Sequence, residues 1–341
     1  MSAQISEPST SEPRSIVIHP YISIIILTIA TFMEVLDSTV VNVSLPRIAS
    51  DLSSTPAETS WIIGSYLIAN AMILPISGWL AIYFGRKNYY QMCVIIFTVS
   101  SFFCGISTNL GMLIFFRIIQ GLSGSGLATS EQAMIADLVP PEKLGRAFSI
   151  YAFGIVSAPV IGPTLGGWIT DTYSWHWIFF INIPIGILSY ILVRNLVNES
   201  ERSKQSRLEL LKVGRKIDWI GIILVVIGFG AFELVLEEGN KLGWFDSNFI
   251  LMATTVAVFA IMIGFTWEYY QDKPAVDISL FKNRNFAISC VLIFTVRFVI
   301  FGSTFVVPYF AQTLLGYSAT NAGMLLLPGA LTLLIMMPIV G

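Results

Sequence analysis

The sequence predicts an all-α polytopic membrane protein, and three observations carry that prediction. Hydrophobic residues make up 55% of the 341-residue chain and charged residues only 12%. A soluble domain carries roughly 25% charged residues, so too little charge remains for a water-facing surface of this size. The apolar residues also fall in blocks, at 21–45, 89–106, 147–169 and 249–267. Each block is near or above the roughly 18–20 residues that cross a bilayer core of about 30 Å. Finally, glycines and prolines fall inside these blocks, most densely at 147–169, which holds Gly154, Gly162, Gly166, Gly167, Pro159 and Pro163. Such residues disrupt soluble helices but are common in membrane ones.

Taken in order, the apolar runs predict ten helices, at 21–44, 58–81, 89–107, 111–135, 147–169, 177–195, 218–236, 248–268, 286–309 and 321–341. Ahead of them, residues 1–20 form a polar cytoplasmic tail whose first fifteen residues, rich in Ser, Glu and Pro, are predicted to be disordered. The first apolar run is long enough to span, which predicts that it stays in the protein. Connections are short except at 196–217, a charged, water-exposed linker with an interfacial helix predicted around Leu208–Val213. The last run is still apolar at Gly341, and the expectation is that the chain stops at or near the end of a span.

Basic residues test the count and set an orientation. With the N-terminus in the cytoplasm, the cytoplasmic segments carry Arg14, Arg86, Lys87, Lys143 and Arg146, seven residues from Arg194 to Lys216, and Lys273, Lys282 and Arg284. The opposite side carries Arg47 and Lys241. One missed or invented helix would scramble this asymmetry, which follows the positive-inside rule.

Several function classes find no support. No basic patch with interleaved aromatics points to nucleic acid. Cys93, Cys104 and Cys290 lack metal-ligand spacing and read as small apolar residues. No metal site or cofactor is expected. His19 and His176 are far apart, no Ser/His/Asp arrangement appears, and no phosphate-binding loop of the Walker type is present, so an enzyme or an ATP-driven pump is not expected. The glycine-rich stretch 121–126 lies inside a predicted span rather than between a strand and a helix.

Ionisable residues inside the spans are functional candidates, because a buried charge is costly unless paired or hydrated. Glu34 and Asp37 share a face of the first span, three residues apart. Arg117 sits about two turns into the fourth span, with Gln120 one turn on and Glu131 near its far end. Arg297 lies near the middle of the ninth. Acids and bases on different helices can neutralise each other and can also carry protons, since burial and a neighbouring Arg act on a carboxyl in opposite directions. Asp37, Arg117 and Glu34 are the candidates for proton coupling; a static ion pair that fixes helix packing is the alternative. Gln120, Glu131, Arg297 and Asn42 are candidates to line a substrate cavity. Glu233 and Glu268, near span ends, are expected to snorkel to water.

In the fifth span, Gly154, Ala158, Gly162 and Gly166 recur every four residues and form a small-residue face for close helix approach. Pro159 and Pro163 interrupt its hydrogen-bond ladder.

Four ordered motifs here resemble those of the major facilitator superfamily. They are LDSTVVNVSLP (36–46), GWLAIYFGRK (78–87), RIIQGLSGSG (117–126) and GPTLGG (162–167). WHWIFFINIPIG (175–186) and LFKNRNF (280–286) add to the likeness, which covers roughly 20–341. The branch they resemble is the fourteen-helix drug/proton antiporters of the EmrB/QacA type, on the EmrB side. The resemblance implies a major facilitator fold and proton-coupled efflux of amphipathic drugs across the cytoplasmic membrane, which is the inner membrane in a two-membrane cell. The proton gradient supplies the energy, and such cells add a periplasmic adaptor and an outer-membrane channel as partners. It further implies that Gly78, Gly85, Arg86, Lys87, Gly154, Pro159, Gly162, Pro163, Gly166 and Gly167 belong to motifs that govern conformational change.

The implied organisation is an N-terminal six-helix bundle at 21–195, the linker at 196–217, two inserted helices within 218–268, and an incomplete start of the second bundle at 269–341. Ile82 stands where the loop signature usually has an acid, and His176 where many relatives have Arg. His176 is expected in a loop beside Trp175 and Trp177, which anchor at the membrane interface. Two alternatives to multidrug efflux remain. One is export of a single metabolite. The other is a membrane module that needs a partner fragment.

Overall fold

The computed structural model describes residues 19–212, 218–271 and 276–317, with positions 325, 328, 329, 332 and 336 as isolated residues. Twelve α-helices and no strand occur among them. They are α1 (Pro20–Asp51), α2 (Pro56–Ile73), α3 (Ser77–Phe84), α4 (Arg86–Gly105), α5 (Leu110–Leu138), α6 (Leu144–Thr172), α7 (Trp177–Phe180), α8 (Asn182–Leu196), α9 (Glu201–Lys212), α10 (Trp219–Glu238), α11 (Asn248–Tyr270) and α12 (Arg284–Thr313). Seven helical stretches are long and apolar enough to cross a bilayer. At 20 residues α4 also has the length, although it is more polar. The expected run at 321–341 lies outside the described residues apart from isolated positions.

Local chemistry sets several helix starts. Pro20 and Pro56 occupy first-turn positions that need no N–H. Thr55 and Glu58 close a capping box: the Thr55 N–H donates to Glu58 Oε2 at 2.8 Å, and Thr55 Oγ1 accepts from the Glu58 N–H at 3.3 Å. Asn109, Asp218 and Asn283 cap α5, α10 and α12 through side-chain oxygens.

Three boundaries differ from expectation. α1 does not stop near residue 44 but runs through Pro46 to Asp51. Proline costs one hydrogen bond, and a packed membrane helix can absorb that loss through neighbouring groups. Here Ser44 is buried and its hydroxyl lies 2.8 Å from that of Thr170 on α6. The second expected span divides into α2 and α3 at a 3₁₀ turn, Leu74–Ile76, that contains Pro75. In the linker, the helix begins at Glu201, ahead of the expected Leu208.

The packing is inverted relative to a soluble protein. α11 turns Met252, Phe259, Met262 and Ile263 outward, whereas Asp37, Arg117, Gln120, Glu131 and Asn182 are buried. α1 lies along α6, α4 along α5 and α8, and α2 along α5 and α10, while α10 pairs with α11. The small-residue face of α6 meets α1. A Cβ on Gly154 would collide with Thr28 and one on Gly162 with Thr39, while Ala158 is fully buried. At Gly166 a Cβ would sit 2.8 Å from Val40 Cγ1 and 3.1 Å from the Val40 Cα and carbonyl oxygen. Those are backbone atoms, so the helices themselves would have to separate.

Trp175 corrects an expectation. It does not anchor at the membrane interface but is fully buried, with its ring edge-on to Phe179, while Trp177 is exposed. His176 stacks on Trp175 at 3.7 Å between ring centroids, and its Nδ1 lies 2.7 Å from Ser174 Oγ. Burial pushes its pKa below the ordinary histidine value, against opposing effects of Asp51 and the Ser107 backbone. Glu268 also departs from expectation: it is buried and accepts from the Val276 N–H at 3.3 Å instead of reaching out to water.

Neighbouring glycines of the 162–167 motif should respond oppositely to a methyl group. Gly166→Ala should cost about 1–3 kcal/mol by forcing α1 from α6. Gly167, whose added Cβ would meet Val43 Cγ1 at an ordinary 3.8 Å, should accept alanine with no loss. Thermal denaturation of the purified protein checks this; equal midpoints for the two variants would contradict the close approach.

Candidate functional site

The site grows from one ion pair. Arg117 Nη1 donates to Asp37 Oδ2 at 2.5 Å, and both side chains are almost wholly excluded from solvent. Arg117 is tied down on every side. Its Nε donates to the Ile62 carbonyl at 3.1 Å, Nη1 also reaches Gln120 Oε1 at 2.7 Å, and its Cζ lies 4.2 Å from the Tyr66 ring centroid. The ring face adds a cation–π contact to a guanidinium that is almost wholly excluded from solvent.

The other carboxylate oxygen has its own donors. Asp37 Oδ1 accepts from Asn182 Nδ2 at 2.6 Å and from Gln120 Nε2 at 3.2 Å. Ser101 Oγ joins the two amides, at 2.9 Å from Asn182 Nδ2 and 3.3 Å from Gln120 Nε2, and donates to the Phe179 carbonyl at 3.0 Å. Residues of α1, α2, α4, α5, α7 and α8 are therefore joined in one network around a single carboxylate. Such a charge-assisted cluster is stable in an apolar interior only when both charges and their remaining hydrogen-bonding positions are satisfied.

The remaining candidates fall in different places. Glu34, one turn before Asp37, is half-buried, and its Oε1 accepts from Tyr66 Oη at 3.0 Å and Asn70 Nδ2 at 3.4 Å. Tyr66 thus touches both Glu34 and Arg117. Gln120 lines no open cavity; it is fully buried inside the Asp37 cluster. Glu131 is also fully buried, where its Oε2 accepts from Thr31 Oγ1. Its Oε1 has no hydrogen-bond partner among the described residues. Asn42 is exposed and donates to the Ser38 carbonyl at 3.0 Å. Arg297 falls on α12, but its side chain lies outside what the structure describes.

The 78–87 motif forms a second charged cluster at the other end of α5. Gly85 has φ +88°, a conformation that favours glycine, and a Cβ there would also lie 2.7 Å from Glu199 Oε1. Arg86 pairs with Asp137 and donates to the Ala133 carbonyl at 3.2 Å. Lys87 Nζ donates to the Arg194 carbonyl at 2.9 Å. With Ile82 in place of an acid, the partner of Arg86 comes from α5. Ser200, just ahead of α9, donates to the same Asp137 carboxylate at 2.7 Å.

Sequence reasoning missed Asn182, Ser101, Tyr66 and Asp137. Three of these carry no charge, and membrane helices contain many such residues. For Asn182 one signal was present: an amide inside the apolar run 177–195. Asp137 was hidden because it sits at a helix end, where a solvated carboxylate is the ordinary reading.

Comparison with known proteins follows this geometry. The profile of the Major Facilitator Superfamily matches residues 27–341. The chain is 40% identical over 317 residues to the multidrug export protein EmrB of Escherichia coli K12, covering 93% of this chain and 60% of that protein. It is 36% identical over 316 residues to the fatty acid resistance protein FarB of Neisseria gonorrhoeae, covering 92% and 61%. The chain thus spans about three fifths of the length of these relatives. Among solved structures, the proton:xylose symporter XylE superposes with a TM-score of 0.58 at 17% identity, over 93% of this chain and 67% of that one, a likeness of fold alone. The chain is a multi-pass membrane protein and belongs to the Major Facilitator Superfamily.

Proposed function

We propose that the chain carries the proton-coupling core of a multidrug exporter, exchanging protons for amphipathic drugs across the cytoplasmic membrane. The observation that carries this reading is the buried Asp37–Arg117 pair. While Asp37 is ionised, the pair is neutral overall. A proton arriving on Asp37 leaves Arg117 as an uncompensated cation, and an unpaired buried charge costs several kcal/mol. Gln120 Oε1, the Ile62 carbonyl and the Tyr66 ring still hold the guanidinium but do not neutralise it. That cost drives either release of the proton or a rearrangement that brings water or a substrate group to the site. Glu34, sharing Tyr66 with Arg117, is a second acid able to take part.

The rest of the proposal follows the same line. This reading takes α1–α8 as the first bundle, α9 as part of a cytoplasmic linker, α10 and α11 as inserted helices, and α12 as the start of the second bundle. The N-terminus lies in the cytoplasm, and in a two-membrane cell the protein sits in the inner membrane beside an adaptor and an outer-membrane channel. Gln120 belongs with the coupling group, while Asn42 on the exposed face of α1, with Arg297, remains a candidate to meet substrate. The proton gradient alone supplies energy, and no bond is made or broken in the substrate. A competing reading, favoured by the 60% coverage of EmrB, is a module that transports only with helices supplied by a further segment.

In an exporter-deficient bacterial host, the chain should drive efflux of a fluorescent amphipathic cation, and a proton uncoupler should stop it. Asp37→Asn and Arg117→Ala should each abolish active efflux. Efflux indifferent to the uncoupler would refute proton coupling, and no efflux from correctly inserted protein would favour the module.

Stability provides a second check. Arg117→Ala should cost about 3–5 kcal/mol, because it strands a buried carboxylate. Adding Asp37→Asn should recover part of that loss, and the double-mutant cycle should show a coupling energy of about 0.5–3 kcal/mol. Simple additivity of the two losses would mean that the pair is not energetically coupled.

A further inference from the structure

Asn182 makes contacts that a purely structural asparagine would not need. Its side chain is fully buried at the start of α8, and Nδ2 donates to Asp37 Oδ1 at 2.6 Å and to Ser101 Oγ at 2.9 Å. Its Oδ1 is buried with no hydrogen-bond partner among the described residues. A buried acceptor without a partner is destabilising, and its persistence calls for a reason.

The chemistry of the amide supplies one. A carboxylate only accepts hydrogen bonds, whereas a carboxylic acid also donates one. An amide has donors on one side and an acceptor on the other, so turning it over converts a partner for the first state into a partner for the second. No other group on Asp37 has this freedom. Arg117 has donors only. Gln120 Oε1 accepts from Arg117 Nη1 at 2.7 Å, so turning that amide would set its NH₂ against the guanidinium. Asn182 Oδ1 has no bond among the described residues to lose, and after the turn the Ser101 hydroxyl can donate to it by rotating away from the Phe179 carbonyl, which it now holds at 3.0 Å.

We propose that Asn182 is a positioning residue that answers the protonation state of Asp37: its NH₂ donates to the carboxylate and, after the amide turns over, its Oδ1 accepts from the carboxylic acid. This rests on the proton-coupled reading above. The proton comes from the aqueous phase to Oδ1, no covalent bond other than O–H forms, and the Asp37–Arg117 pair passes from neutral to a net positive charge. Asn182 gives both states a satisfied Oδ1 and thereby keeps protonation reversible in an apolar interior. The other titratable groups near Asp37 are Arg117 on α5, Tyr66 on α2, Cys104 on α4 and Glu34 on its own helix. The part of α6 packed beside Asp37, 154–167, and all of α7 contain none, and α8 presents Asn182.

The test follows Asp37 directly and needs no transport. The full chain, purified in lipid nanodiscs, is titrated while infrared spectroscopy records the carbonyl stretch of un-ionised carboxylic acids, with Asp37→Asn assigning the Asp37 band. Asn182→Leu should move that band to higher frequency, because the acid O–H has lost its acceptor. It should also displace the midpoint by about one pH unit, a tenfold change in proton affinity. Asn182→Asp, the same shape with a second carboxyl, should split the titration into two steps. In the unmutated chain with isotope-labelled asparagine, a side-chain amide band should shift at the same midpoint as Asp37. An Asp37 band that titrates with no asparagine shift, or with position and midpoint unchanged in the variants, overturns the inference alone. No titrating band removed by Asp37→Asn would overturn both this inference and the proton-coupled reading.

Discussion

One buried ion pair organises the interior of this protein. Asp37 and Arg117 lie 80 residues apart in the chain and meet where almost no solvent reaches. Neither charge is tolerable there alone, so the pair obliges its surroundings to supply hydrogen bonds from every direction. Ile62 and Tyr66 of α2, Ser101 of α4, Gln120 of α5 and Asn182 of α8 meet that demand. The helices are thus positioned by a polar requirement as much as by apolar packing, which has little solvent-derived drive between helices in lipid.

The glycine-rich contacts complement this centre. Gly162 and Gly166 let α6 lie against α1, the helix that carries Asp37, and Gly121 does the same for α5 and α2, where a Cβ would strike the Tyr66 carbonyl. Without side chains in the seam, helices approach closely enough for short polar side chains to bridge them. Close packing and this polar centre together make a tight interior; under the proton-coupled reading proposed above, a proton on Asp37 would leave the Arg117 charge uncompensated within it.

Much of the fold is legible in the sequence because lipid imposes a length on each apolar run. The positions of α1, α4–α6, α8, α10, α11 and α12 follow from runs of about 20 residues, and the Thr55–Glu58 box, Asn109, Asp218 and Asn283 mark helix starts by local chemistry. Helix ends are less legible. α1 passes through Pro46, which reads as a stop, because the cost of one missing hydrogen bond is set by its neighbours and not by the residue alone. The burial of Trp175 was hidden for a related reason: a Trp flanking an apolar run is ordinarily an interfacial anchor, and only contact with Phe179 and His176 places it inside.

For the candidate site, the sequence by itself determined which residues had to find partners. Asp37, Arg117, Glu34 and Glu131 stand inside apolar runs, and an ionisable group there is too costly to be idle. Membership of the Major Facilitator Superfamily was likewise written in four ordered motifs. Only the tertiary structure decided who pairs with whom. It gave Arg117 to Asp37, set Glu34 on Tyr66 and Asn70, left Glu131 with Thr31, and brought in Asn182 from 145 residues away. The cost of burying a charge belongs to one residue and is visible along the chain. The energy that offsets it depends on distances of about 3 Å between residues remote in sequence, and those distances exist only once the helices have packed.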